Sequence, residues 1–198
     1  MDEAQELTDA EWQMLLLRCP SRSFTIVGDR AQARHGFAET WQERLERIGL
    51  DRSEVASLSI NYRTPAEVMA QAEPVIRAVL ADANVPISIR CNGIPVLHGS
   101  VSELGSILDS WLAAQADGIA CVIGAGDVEA GVFRATARVR SLTPELSKGL
   151  EFDLVVLIDP EAIGTGIEGA VDRYVAMTRA TQQLVILTSP DVGRTTFR

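Results

Sequence analysis

Ser147-Lys148-Gly149-Leu150-Glu151-Phe152-Asp153-Leu154-Val155-Val156-Leu157-Ile158 is the stretch on which the fold turns. A polar loop, Thr143 to Asp153, leads into Leu154 to Ile158, an apolar, branched run with no polar side chain on either alternation. A strand with one wet face alternates polar and apolar residues, so this one is buried on both faces. Sheets covered on both faces are parallel sheets whose strands are joined by right-handed helical crossovers.

Outward from that run the same grammar repeats. Ala56–Ile60, Ile119–Ile123, Ala137–Leu142 and Leu184–Thr188 read as strands, with one more short piece at Pro95–His98. Between them, Pro65 opens a helix to about Leu80 from the first helical position, and Pro74 is expected to kink or split it. Ser102 to Ala116 carries Leu104, Ile107, Leu108, Trp111 and Leu112 at helical spacing, and Gly169 to Ala180 is also helical. Nearer the start, Leu7 to Leu17 is a helix whose Thr8 and Glu11 form a capping-box pattern. Ser23 to Val27 reads as a short buried strand ending in Gly28-Asp29, Arg30 to Gly36 as a loop, and Phe37 to Ile48 as a helix. The pattern breaks at Gly49-Leu50, which predicts a boundary between residues 1–49 and 50–198.

With 46% hydrophobic and 23% charged residues the chain has the composition of a globular protein with a sizeable core. A net charge of -9 argues against a free-standing nucleic-acid-binding module, which carries a basic face. Cys19, Cys91 and Cys121 are odd in number and lack paired spacing, so they read as reduced, buried thiols of a cytosolic protein. No apolar run nears the roughly 18 residues of a membrane span, so no membrane partner is expected. His35 and His98 lack a partner pattern and read as loop or surface residues.

Open α/β sheets collect function at the carboxyl ends of their strands. Five polar clusters fall at or near such ends. In order they are Asp2-Glu3-Ala4-Gln5, Val27-Gly28-Asp29-Arg30-Ala31-Gln32, Asn61-Tyr62-Arg63-Thr64-Pro65-Ala66-Glu67, Ser147 to Asp153, and Tyr174-Val175-Ala176-Met177-Thr178-Arg179-Ala180. Singly each is weak. Their order and wording together resemble the later motifs of UvrD/Rep-type superfamily 1 helicases, over Asp2 to about Thr188.

That resemblance implies an α/β fold, a RecA-like parallel sheet flanked by helices. Residues 50–198 would be the second motor domain and residues 1–49 a remnant of the first. It implies ATP and Mg²⁺ as cofactors, a cytoplasmic location, and the first RecA-like domain in cis as a partner. Asp2 would be the Mg²⁺-associated carboxylate and Glu3 the group polarising the attacking water. Gln5 and Gln32 would sense the γ-phosphate, Tyr62 would stack on adenine, and Arg63 would reach the phosphates. Lys148-Gly149 would form the turn that places Glu151 near the ribose and γ-phosphate. Arg179 would be the arginine finger, a planar, permanently charged donor to the transferring phosphoryl group.

The chain also departs from the family. The phosphate-cradling Gly-x-x-x-x-Gly-Lys-Ser/Thr loop is absent from the sequence, so the polypeptide alone is expected to bind ATP poorly and be inactive. This reads as a fragment or a degenerate copy. Its first-domain remnant is expected to pack on the second domain or to expose apolar surface. Ala33-Arg34-His35-Gly36-Phe37 replaces the aromatic and Trp-Arg-Gly continuation that stacks on single-stranded bases. Glu145 stands where unwinding enzymes tend to carry His on the DNA path, and no large insertion separates Arg63 from Thr143. The changed stretch Ala33 to Phe37, Glu145 and the acidic balance resemble the HelD branch, related to helicase IV, whose members include ATPases that remodel stalled RNA polymerase. The resemblance therefore implies remodelling of nucleic-acid or transcription complexes, with DNA or RNA polymerase as target. The alternatives are a fragment of a DNA-unwinding helicase and a non-catalytic interaction domain.

Overall fold

A computed structural model describes residues 1–34, 37, 39–125 and 136–190. Its centre is a five-stranded sheet of β3 (Leu97–Ser100), β4 (Ala120–Ile123), β5 (Val139–Leu142), β6 (Phe152–Ile158) and β7 (Ala180–Thr188). The strands lie in the order β3-β7-β6-β4-β5, and every neighbouring pair is parallel. The molecule is an α/β protein with a RecA-like sheet flanked by helices.

The apolar run of β6 explains itself in this setting. Val155 and Leu157 face α3 (Ala66–Arg77) and α5 (Gly166–Thr178), while Leu154, Val156 and Ile158 face α4 (Leu104–Ala114). Both alternations are buried, at roughly 1.5–3 kcal/mol for each large aliphatic side chain. α3 is one element through Pro74, so the proline does not split it in two. Pro74 is exposed, while Val68, Ala72 and Ile76 are clamped in the core on both sides of it, which offsets the missing N–H. Pro65 precedes the helix as its N-cap instead of occupying the first turn.

The N-terminal part has a small core of its own. α1 (Asp9–Arg18) and α2 (Trp41–Arg47) are each opened by a capping box, Thr8 with Glu11 and Thr40 with Glu43. Ala4, Trp12, Leu16, Leu45, Ile48 and Leu50 are buried together, with Phe24, Ile26 and Trp41 packed against them. α2 is shorter than the sequence suggests, and Phe37 is tucked against Trp41 at 4.8 Å outside the helix. The strand expected at Ser23–Val27 is extended chain held to the N-terminus by three hydrogen bonds, from Met1 N to Thr25 O, Val27 N to Met1 O, and Ala4 N to Val27 O.

A second departure lies between the two parts. The strand expected at Ala56–Ile60 shrinks to β1 (Ile60–Asn61), paired in parallel with β2 (Ile87–Ser88), which the sequence does not signal. This ribbon is turned inside out. Ser88 Oγ donates to Thr64 O, while Leu58, Ile60, Ile87 and Ile89 on the other alternation are exposed. The cysteines also depart from expectation: only Cys121 is buried, Cys91 is exposed and Cys19 is half-buried, all three unpaired. His98 is exposed on β3, and His35 lies outside the described residues. Among the described residues no helix is long and apolar enough to cross a membrane.

Candidate active site

The site is built from tight turns at the ends of regular elements. Asn61 closes β1 by accepting from the backbone N–H groups of Arg63 (2.9 Å) and Thr64 (3.1 Å), which turns the chain and sets the Arg63 side chain. Buried Thr64 then donates to Thr178 O, tying this turn to the end of α5. There Arg179 ends the helix, and its carbonyl accepts from Phe152 N at the start of β6. Asp29 opens the 3₁₀ turn Arg30–Gln32 by accepting from Ala31 N. Gly28 before it has no room for a side chain, since a Cβ would come within 2.5 Å of the Trp41 ring and 2.8 Å of Gln5 Oε1.

These turns bring residues far apart in sequence to one seam. Arg179 is only 3% exposed; its Nε donates to Val175 O and its Nη2 to Gln32 Oε1 at 3.3 Å. Gln32 donates in turn to Asp29 Oδ2 at 2.9 Å, and Gln5 Oε1 accepts from Asp29 N at 3.1 Å. Gln5 also donates to Glu3 Oε2. Glu3 holds a left-handed backbone, φ 53°, which costs about 1–3 kcal/mol for a residue other than glycine. On the opposite bank Arg63 Nη1 donates to Glu151 Oε1 at 3.0 Å.

The charges sense one another. Burial, and after it the Arg63 guanidinium, holds the Arg179 guanidinium below its ordinary pKa, while the carboxylates of Glu3 and Glu151 act the other way. Burial pushes the Asp29 carboxyl above its ordinary range against the bonds from Gln32 and Ala31. Arg63 Nε is buried with no hydrogen-bond partner. A seam with two neighbouring guanidiniums, one carrying an unused donor, is chemically suited to an anion.

Every residue given a role at the site from the sequence lies among the described residues. Glu3, Gln5, Gln32, Arg63, Glu151 and Arg179 share the seam through the bonds and charges just described. Asp2 is exposed, with its Oδ1 accepting from Glu3 N. Tyr62 is 78% exposed beside Arg63. Gly149 makes the turn before Glu151 with φ +71°. The ammonium of Lys148 points back across the seam, to Glu6 Oε1 and to Gln32 O at 3.2 Å.

Three participants went unseen in the sequence: Glu6, Arg34 and Asp172. Arg34 reaches Glu145 at 2.9 Å and Asp172 at 3.4 Å. Only Asp172 carries a readable sign, a charge in the otherwise apolar series Ala170, Val171, Tyr174, Val175.

No protein-family model matches the chain, and no curated protein does. Among solved structures it resembles the complex of arterivirus nonstructural protein 10 (helicase) with DNA, at TM-score 0.50 and 19% identity, over 94% of this chain and 38% of that one. A crystal structure of arterivirus nonstructural protein 10 (helicase) aligns at TM-score 0.48 and 18% identity, over 94% of this chain and 37% of that one. The C-terminal domain of a possible DNA helicase from Lactobacillus plantarum WCFS1 aligns at 0.46 and 13%, over 65% of this chain and 88% of that one. At these identities the likeness is one of fold, and the chain spans well under half of the arterivirus protein.

Proposed function

We propose that this chain is the C-terminal part of a superfamily 1 helicase-like ATPase. Residues 50–198 form its second RecA-like domain and residues 1–49 the edge of the first, with ATP and Mg²⁺ bound at the seam between them. The observation that carries this reading is the buried guanidinium of Arg179, held beside Arg63 on one bank and Gln32 on the other. The residues present fit the γ-phosphate end of a nucleoside triphosphate. Arg63 and Arg179 would meet its charge, Asp2 and Glu3 offer carboxylates to the metal and the attacking water, and exposed Tyr62 offers a face to the base. Bound ATP supplies the phosphoanhydride bond that is cleaved. No residue here takes the part of the P-loop amides and lysine, so this reading needs a P-loop lobe in cis and makes the chain alone inactive.

The test joins this chain to such a lobe. Arg179→Ala should then lower kcat by about 10³-fold or more while ATP affinity stays within a few fold. Turnover at the wild-type rate would remove Arg179 from this role.

The contact between Arg34 and Glu145 supports a target other than bare DNA. A cation near the seam is already engaged by two carboxylates, Glu145 and Asp172, and a carboxylate facing a phosphate backbone is unfavourable. This favours a HelD-like, cytoplasmic ATPase that remodels transcription complexes, with RNA polymerase as partner. An unwinding enzyme predicts steeply salt-dependent binding of single-stranded DNA instead. Tight DNA binding by the joined protein, with no polymerase subunits recovered in a pull-down, reverses that ranking.

A further inference from the structure

The segment Asp29–Arg34 reaches polar partners in the sheet-bearing part of the chain through every second residue. Arg30 pairs with Asp82 at 2.9 Å, Gln32 with Arg179, and Arg34 with Glu145 and Asp172, while Ala31 and Ala33 between them are buried. Ala31 is packed into the main core beneath the sheet. At the centre of this row one cation from the far bank holds two turns at once. Lys148 Nζ donates to the carboxylate of Glu6, in the turn Ala4–Glu6, and to the backbone carbonyl of Gln32, in the turn Arg30–Gln32.

The turn that carries Lys148 is anchored. Ser147 beside it is fully buried, its hydroxyl donating to Pro144 O at 2.7 Å and its carbonyl accepting from Leu150 N. The target is equally constrained. The Gln32 amide accepts from Arg179 through Oε1 and donates to Asp29 through Nε2. The opposite amide orientation would set like against like on both sides. Fixing the Gln32 carbonyl therefore fixes an amide that has one orientation open to it, and that amide is a side-chain acceptor of the buried Arg179 guanidinium.

We infer that Lys148 is a positioning residue: its ammonium locks the turns carrying Gln5 and Gln32 across the seam and so sets Arg179. The significance of the lock for turnover rests on the nucleotide reading, but its existence is tested without nucleotide. In the ligand-free chain, Lys148→Met should speed amide exchange over residues 27–34 by about tenfold. It should also collapse the resolved Nη resonances of Arg179 to one averaged signal, with exchange in α3 and β6 unchanged. Lys148→Arg should keep the wild-type pattern. Glu6→Gln should keep the Arg179 signal, because the hold on the Gln32 carbonyl survives it. Wild-type exchange and Arg179 signals in Lys148→Met would overturn the inference. So would a full loss in Glu6→Gln, which would make the contact an ordinary ion pair. If Lys148→Met does not fold, the wild-type protein decides. A hydrogen-bond scalar coupling from Lys148 Nζ to the Gln32 carbonyl carbon is expected, and its absence is fatal. A failure of ATP to bind the chain joined to a P-loop lobe, while these signals persist, removes the nucleotide reading and leaves the lock.

Discussion

Asp172 is a carboxylate at a position of α5 that otherwise belongs to Ala, Val and Tyr. Its Oδ1 is buried without a hydrogen-bond partner, and burial raises its pKa above 3.8. Arg34 and Lys148 oppose that shift, while Glu145 and Glu168 add to it. A carboxyl whose folded pKa is raised holds its proton more tightly folded than unfolded. Its stabilising contribution is therefore full below the unfolded pKa and is lost as pH rises through the folded value. Asp172→Asn should remove that loss. Urea unfolding of wild type and variant from about pH 4 to about pH 7 should show the wild type falling behind as pH rises. A difference that stays flat across this range would mean that Arg34 compensates the buried charge in full. Asp29 is also raised by burial but is common to both proteins, so it drops out of the comparison.

Among the elements, α3 carries an internal defect that packing overrides. Pro74→Ala restores an N–H to the helix and costs little apolar burial, because Pro74 is exposed. The gain should be about 1–2 kcal/mol after the looser unfolded chain is counted. An unchanged urea midpoint would show that the helix is distorted at that turn in a way an N–H cannot repair. The long elements were legible in the sequence because each has a period: α4 and α5 every three to four residues, β6 on both alternations. β1 was legible only as a longer, buried strand and β2 not at all, since Leu58, Ile60, Ile87 and Ile89 carry the mark of burial and stand in solvent. The site motifs were legible as words, yet their joints were not. Glu6 and Lys148 are 142 residues apart, and a lone charged residue has no period to betray its partner.

At the scale of the whole molecule, two cores of unequal size share one chain. Among the described residues the N-terminal core gathers six buried side chains, too few to stand alone, and it meets the sheet-bearing part through Asp29–Arg34 and through the contact of Glu6 with Lys148. It should open first. Trp12 reports on that core and Trp111 on the face of the sheet covered by α4. In single-tryptophan variants, Trp12 emission should change at lower urea than Trp111 emission, and coincident curves would show one cooperative unit. The inverted ribbon has a practical corollary. Leu58, Ile60, Ile87 and Ile89 are 62–79% exposed, so their hydrophobicity adds little to folding and much to the stickiness of the surface. Ile60→Thr with Ile87→Thr should leave the melting temperature within a degree or two while raising the concentration at which the protein stays monodisperse in light scattering. In this one patch, solubility and stability can be tuned independently.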